Sequence, residues 1–298
     1  MPPHIAIPMP HSFDTEYAGR AIPQYERAVE LAGGEPVRIA LNQPSEEVLK
    51  RIASCDGVLL PGSKADIDPA RFHASRSSRT AIADPRRDAV DDLLLDDAYR
   101  LRKPVLGICY GLQSLNVYHG GSLIQHIPDF LTEEVRTRVN HEAGKSVAVA
   151  HTVEIDSTSK LAEILANNKN PEAHDKHEGN RDREGHGFSR AATALPDVGA
   201  SAPGGRILVP VNSSHHQSAD TIGGGLRIVA RCPDDGIVEA LEGTAPAHFV
   251  LAVQWHPERS IAEDEASRAI FHSLIEAATI EAAVRHHERE GRDVNRAV

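Results

Sequence analysis

Four short apolar runs alternate with helical stretches between His4 and His119, and this rhythm constrains the fold more than any other feature of the chain. His4–Ile7, Pro36–Leu41, Asp56–Leu60 and Pro104–Ile108 read as strands, rich in Val, Ile and Leu and bounded by turn residues. Ala18–Ala32, a short segment from Ser45, Asp84–Arg102 and Tyr110–His119 read as helices. Gly33-Gly34 closes the first helix, since glycine accepts the left-handed cap conformation. Glu46 and Glu47 lie in the first turn of the second, where negative charge suits the helix dipole. The third runs from early aspartates to Arg100, Arg102 and Lys103. Strands and helices in strict alternation build a mostly parallel sheet with helices on both faces, a three-layer α/β architecture.

The second half changes character. His151–Ile155, Ile207–Val211, Leu226–Cys232, Ile237–Leu241 and Phe249–Gln254 read as strands separated by turns, with a hairpin turn at Pro233-Asp234-Asp235-Gly236. They either extend the sheet or form a small antiparallel layer beside it. A C-terminal helix begins near Ala262 and runs toward Arg292, so that about 280–298 forms a polar helical tail. Residues 167–205 are polar and rich in Gly, Asn and His, as in a flexible inserted loop. The expectation is one domain over residues 1–298 carrying that insertion.

Composition narrows the class of partner. The formal net charge is -11 with no cluster of Lys or Arg, which argues against nucleic acid, because phosphate binding needs concentrated positive charge. No apolar run approaches the length that spans a bilayer. Met1–Pro10 lacks the basic start and apolar core of a signal peptide, so a cytoplasmic location is expected. Cys55, Cys109 and Cys232 are odd in number and widely spaced, which suits neither a disulfide framework nor a CxxC metal knuckle. Cys55 and Cys232 read as buried packing residues.

Cys109 is different. It sits in Gly107-Ile108-Cys109-Tyr110-Gly111, between a buried strand and a helix. A nucleophile on such a turn is held exposed at a helix N-terminus, whose dipole favours thiolate. Taken alone, the segment fits a structural cysteine in a βα turn about as well. Far downstream, Gln254-Trp255-His256-Pro257-Glu258 ends a strand with His-x-Glu. There His256 is placed to act as base to the thiol and Glu258 to orient the imidazole.

The order Cys109, His256, Glu258 on an alternating α/β chain resembles class I glutamine amidotransferases, whose fold is flavodoxin-like. Pro61-Gly62-Ser63, following a strand, is similar to the oxyanion loop of that family. The resemblance assigns the oxyanion donors to backbone N–H groups of Gly62, Ser63 and Tyr110. Three further segments resemble one branch: Lys64-Ala65-Asp66-Ile67-Asp68-Pro69, Arg87-Asp88, and Asn212-Ser213-Ser214-His215-His216-Gln217. That branch is the γ-glutamyl-γ-aminobutyrate hydrolase group of γ-glutamyl cysteine peptidases. Its Gly-Ile-Cys-x-Gly-x-Gln-x-x-Asn-Val-x-x-Gly-Gly-x-Leu pattern is matched from Gly107 to Leu123, and the likeness covers roughly Pro3 to Ser273 apart from the insertion.

The resemblance implies a thioester on Cys109, formed from a small γ-glutamyl substrate and hydrolysed to glutamate and an amine, with no cofactor and no metal. It places Gln113 against the α-amino and carboxylate end of the glutamyl group, with His215, His216 and Gln217 lining the same pocket. Read without it, His215-His216 is a solvated turn, or a zinc ligand pair lacking an Asp, Glu or Cys partner at ligand spacing. Arg87 and Asp88 read as a structural charge pair at a helix start. His174, His177 and His186 read as solvated loop residues, and His126 has no assignable role. Two departures bear on the substrate: Tyr110 stands where the group carries Arg or Leu, and the insertion replaces a short loop. Rival readings are a glutaminase supplying ammonia to a synthetase, a glutamyl transferase, and a catalytically silent binding protein. The fold often pairs into dimers, so a homodimer is the assembly it suggests.

Overall fold

In chain order the computed structural model, which describes residues 1–167, 201–202 and 206–296, begins with β1 (His4–Pro8), α1 (Thr15–Leu31), β2 (Glu35–Ile39), α2 (Ser45–Ala53) and β3 (Gly57–Leu60). There follow α3 (Pro85–Leu101), β4 (Val105–Ile108) and α4 (Tyr110–Tyr118). Local chemistry sets these boundaries. Asp14 and Asp84 cap α1 and α3 by accepting from the Tyr17 and Arg87 N–H groups, and Pro85 opens α3, where its missing N–H costs nothing.

The middle of the chain holds β5 (Leu123–Ile124), α5 (Ile127–Phe130), α6 (Glu133–Arg136), β6 (His151–Asp156), α7 (Lys160–Asn167) and β7 (Ser201–Ala202). The three short helices have no counterpart in the sequence reading; two are single turns without sustained periodicity. Then come β8 (Arg206–Val211), β9 (Ser218–Ala219), β10 (Leu226–Arg231), β11 (Val238–Gly243), β12 (Val250–Val253) and α8 (Glu265–Arg296). The last helix starts three residues later than Ala262 because Asp264 supplies its cap, accepting from the Ser267 N–H at 2.9 Å. Apart from Asn167, Ser201 and Ala202, the 167–205 insertion lies outside the described residues, as do His174, His177 and His186.

Among the described residues ten strands form one mixed sheet, in the order β2-β1-β3-β4-β12-β11-β10-β6-β8-β7. Pairing is parallel from β2 to β12 and antiparallel from β12 onward. The later strands therefore extend the sheet, and β5 and β9 alone form a separate two-stranded ladder. The period of two along each strand divides the core between the faces. Ile5, Ile7, Leu106 and Ile108 pack with Ile22 and Tyr25 of α1 and Phe271 and Leu274 of α8. Ala6, Val58, Leu60 and Val105 face Ile52 of α2, Leu94 of α3 and Leu112 of α4. The three layers and the parallel half agree with the expected α/β class. No helix among the described residues is long and apolar enough to cross a membrane.

Candidate active site

β4 and β12 lie side by side and parallel, with Ile108 opposite Val253, so the residues just past their ends emerge together. Cys109 stands there between β4 and α4 with φ 54° and ψ -103°. A side chain with positive φ is strained, and the surroundings must hold it. They do so by three hydrogen bonds: the Cys109 N–H donates to the Val253 carbonyl at 2.8 Å, and the Cys109 carbonyl accepts from Leu112 and Gln113 at 3.1 and 3.3 Å. Gly111 lets the turn seat closely, since a Cβ there would lie 2.2 Å from the Leu60 carbonyl oxygen. Tyr110 takes the first helical position, where the N–H has no acceptor within the helix.

His256 and Glu258 follow β12. The His256 Nδ1 lies 2.7 Å from Glu258 Oε1, so Nδ1 carries a proton and Nε2 is left for another partner. That Nε2 is buried without a fully formed hydrogen bond, and Cys109 is the group besides Glu258 that couples to the ring. Burial alone lowers the imidazole pKa; the charges of Glu258 and Cys109 outweigh it and lift the value to about 9. Burial would raise the Glu258 carboxyl, but His256 beside it holds it below the usual range. Asn212 clamps the His256 backbone from both sides, donating from Nδ2 to its carbonyl and accepting its N–H at Oδ1, each at 2.9 Å.

The Pro61-Gly62-Ser63 loop lies against this pair. A Cβ on Gly62 would sit 3.2 Å from His256 Cε1 and 3.7 Å from Cys109 Cβ. Its N–H is engaged, donating to the buried Tyr25 hydroxyl at 3.0 Å. Of the three expected oxyanion donors Gly62 is therefore committed elsewhere, and Ser63 and Tyr110 line the cavity beside Cys109. Arg87 is fully buried; it pairs with Asp91 at 2.6 Å and donates to the Pro61 carbonyl at 2.8 Å. Its structural reading is thereby made specific, because it anchors the loop. Tyr110, 1% exposed, directs its hydroxyl to Asp88 at 2.5 Å.

The cavity, of about 270 Å³, brings Cys109, Ser63, Gln113, His216 and Gln217 together. Lys64, Asp66, Glu142 and Lys145 make its wall strongly polar. Gln113 Nε2 donates to the Gln217 carbonyl at 3.2 Å, tying α4 to the loop before β9. His216 Nε2 lies 3.0 Å from Asp66 Oδ1, and this hydrogen bond raises its pKa against burial. His215 touches the cavity but spends both nitrogens inward, Nδ1 on the Gln217 carbonyl at 2.9 Å and Nε2 toward Glu239 Oε1 at 3.3 Å. It supports the wall instead of presenting a polar atom to a substrate. The carboxylate partner that the sequence lacked near His215 is thus Glu239 of β11. Tyr25, Asn212, Glu142 and Lys145 went unremarked in the sequence. Asn212 alone carried a signal there, as the first residue of the segment that also holds His215 and His216.

The comparisons with known proteins agree with this geometry. The sequence model of the peptidase C26 family matches residues 6–200 and 200–258. A glutamine amidotransferase-like protein of Rickettsia prowazekii is 30% identical over 261 residues, covering 85% of this chain and 87% of that one. The γ-glutamyl-γ-aminobutyrate hydrolase of Escherichia coli K12 is 30% identical, covering 85% of this chain and 84% of the relative. Among solved structures, a GMP synthase protein of Thermoplasma acidophilum superimposes with a TM-score of 0.55 at 14% identity, covering 96% of this chain and 98% of that one. PurLQS of Thermotoga maritima gives 0.50 at 16% identity, covering 93% and 99%. These two support the class I glutamine amidotransferase fold alone. The chain belongs to the peptidase C26 family of glutamine amidotransferase-like hydrolases.

Proposed function

We propose that the chain hydrolyses a γ-glutamyl amide to glutamate and a free amine, with Cys109 as nucleophile, His256 as acid and base, and Glu258 as the group that orients and charges the imidazole. The observation that carries this reading is the strained Cys109 beside an imidazole whose other nitrogen is fixed 2.7 Å from a buried carboxylate. His256 takes the thiol proton at Nε2, and the Cys109 sulfur attacks the γ-carbonyl carbon. The tetrahedral oxyanion is met by the N–H groups of Ser63 and Tyr110. His256 gives its proton to the departing nitrogen, the C–N bond breaks, and a thioester remains on Cys109. Water, losing a proton to His256, attacks the thioester; that proton then returns to the Cys109 sulfur as glutamate leaves. No step calls on a cofactor.

The glutamyl specificity is supported by Gln113 and His216-Gln217 in the cavity wall and by the hydrolase named among the relatives. A panel of γ-glutamyl amides assayed for glutamate release tests it, with Cys109→Ala expected to abolish turnover. Unchanged release by that variant overturns the nucleophile. A second reading, glutaminase supply of ammonia to a synthetase, is favoured by the amidotransferase names of other relatives. It predicts that free glutamine outperforms the substituted amides and that a synthetase stimulates ammonia release. The intact Cys109, His256 and Glu258 argue against a silent binding protein.

A further inference from the structure

Behind the cavity wall, outside the reacting groups, three imidazoles converge on one carboxylate oxygen. Glu239 Oε1 lies 3.0 Å from His141 Nδ1, 3.2 Å from His151 Nε2 and 3.3 Å from His215 Nε2. All four side chains are buried, and the four atoms lie within 4.8 Å of one another. The outer nitrogen of every ring is already spent. His141 Nε2 meets Asp235 Oδ2 at 2.7 Å, His151 Nδ1 the Thr152 carbonyl at 3.1 Å, and His215 Nδ1 the Gln217 carbonyl at 2.9 Å. Carbonyls and carboxylates only accept, so each outer nitrogen carries a proton, and in a neutral ring the inner nitrogen then offers a lone pair. Three lone pairs aimed at a carboxylate oxygen repel it unless positive charge sits among them.

Rings held by an outer carboxylate or carbonyl, with their lone pairs converging, have the arrangement of metal-ligating histidines. The spacing suits zinc, since nitrogen and oxygen ligands at about 2.05 Å in a tetrahedron stand about 3.3 Å apart. The other oxygen of Glu239 accepts from the Ser213 hydroxyl at 3.1 Å, which leaves Oε1 to the centre. We propose that His141, His151, His215 and Glu239 form a closed structural zinc site that fixes the loop bearing His216 and Gln217. Four buried protein ligands leave no open position for water, as in a structural site and unlike a catalytic one. The ion would join β6, β11, the loop before β9 and the loop around His141, where the His215 N–H also donates to the His141 carbonyl at 2.9 Å. The competing source of positive charge is protons on the rings. A second trio, His141, Cys232 and Asp235, shares one ligand and provides an internal control.

The test is direct metal analysis of the full chain, purified without a polyhistidine tag. Roughly one zinc per chain is expected by elemental analysis, as a closed four-ligand site holds one ion. Protein stripped with a chelator should take up one equivalent of Zn²⁺ against a chromophoric competitor, and Co²⁺ in its place should give the visible absorption of a tetrahedral ion. Glu239→Gln and His151→Ala should weaken Zn²⁺ binding by at least about 100-fold, and Asp235→Asn by about 10–100-fold, while Cys232→Ser leaves it intact. Absence of zinc in the purified wild type together with no uptake by the stripped protein overturns the site in favour of protons, whatever the variants do. Binding lost in Cys232→Ser but kept in Glu239→Gln overturns this ligand set.

Discussion

Gly62 occupies the one position from which a methyl group would touch three parts of the site at once. The added Cβ lies 2.9 Å from the Tyr25 hydroxyl and 3.2 Å from His256 Cε1. Gly62→Ala is therefore expected to push the loop away and misplace the Ser63 N–H, at a cost near that of a lost oxyanion donor, about 100-fold or more in kcat. Steady-state kinetics with a γ-glutamyl amide check this; wild-type kcat in the variant would show that the loop does not serve the oxyanion. A second prediction concerns charge. The His256 pKa is raised to about 9 by Glu258 and Cys109 against burial, so the charged ring persists well above its ordinary value. Stability gained from this pairing is complete below about 6.5 and is lost as pH climbs through about 9. Activity should follow the same limb, because the protonated ring is the acid for the leaving amine. Glu258→Gln should move the alkaline limb of kcat/KM downward by about a unit or more, and an unmoved limb would exclude Glu258 as the orienting charge. Cys109, His256 and Glu258 were readable because each stands in a short local pattern at a strand end. Tyr25 and Asn212 were not, since their contacts join residues 37 and 44 positions apart.

At the scale of elements, the site is a meeting of strand ends fastened by side chains from neighbouring loops. Asn212, just after β8, uses both halves of its amide on the His256 backbone. Asn212→Ala removes both bonds, worth about 1 kcal/mol each, and should lower kcat about 10–30-fold while leaving KM nearly unchanged. Asn212→Asp keeps the acceptor and loses the donor, so an intermediate kcat is expected; equal kcat in all three proteins would remove the positioning role. Arg87 acts similarly from α3 on the Pro61 carbonyl, and its pairing with Asp91 follows from their i,i+4 spacing on that helix. That spacing was present in the sequence, but burial was not, because an Arg and an Asp four residues apart more often form an exposed pair. The His141, His151, His215 and Glu239 cluster was hidden for the same kind of reason. Its members come from four separate segments whose approach is set by the antiparallel half of the sheet.

For the whole molecule, the parallel half was legible because each of its strands is a continuous apolar run followed by a helix. The antiparallel half was legible as strands, yet its attachment was not, since short alternating strands fit an extended sheet and a separate layer equally well. The structure joins the halves along β4 and β12, where four residue pairs stand in register, and the reacting groups leave the sheet at that seam. A sheet continuous through its seam should unfold as one unit. Leu94 of α3 packs on the parallel half and Ile155 of β6 lies in the antiparallel half, both fully buried. Leu94→Ala and Ile155→Ala should each cost about 2–5 kcal/mol through lost burial and the cavity left behind. In urea, each should lower the midpoint of a single transition without changing its slope, as expected when one cooperative unit loses stability. The only tryptophan, Trp255, is 5% exposed and sits at the end of β12, so its fluorescence reports the seam while far-ultraviolet circular dichroism reports the whole sheet. Coincident curves from both probes in both variants establish one folding domain. A second transition that moves only with Ile155→Ala would mean that the antiparallel half folds by itself, and that the seam bearing Cys109 and His256 is an interface between two units.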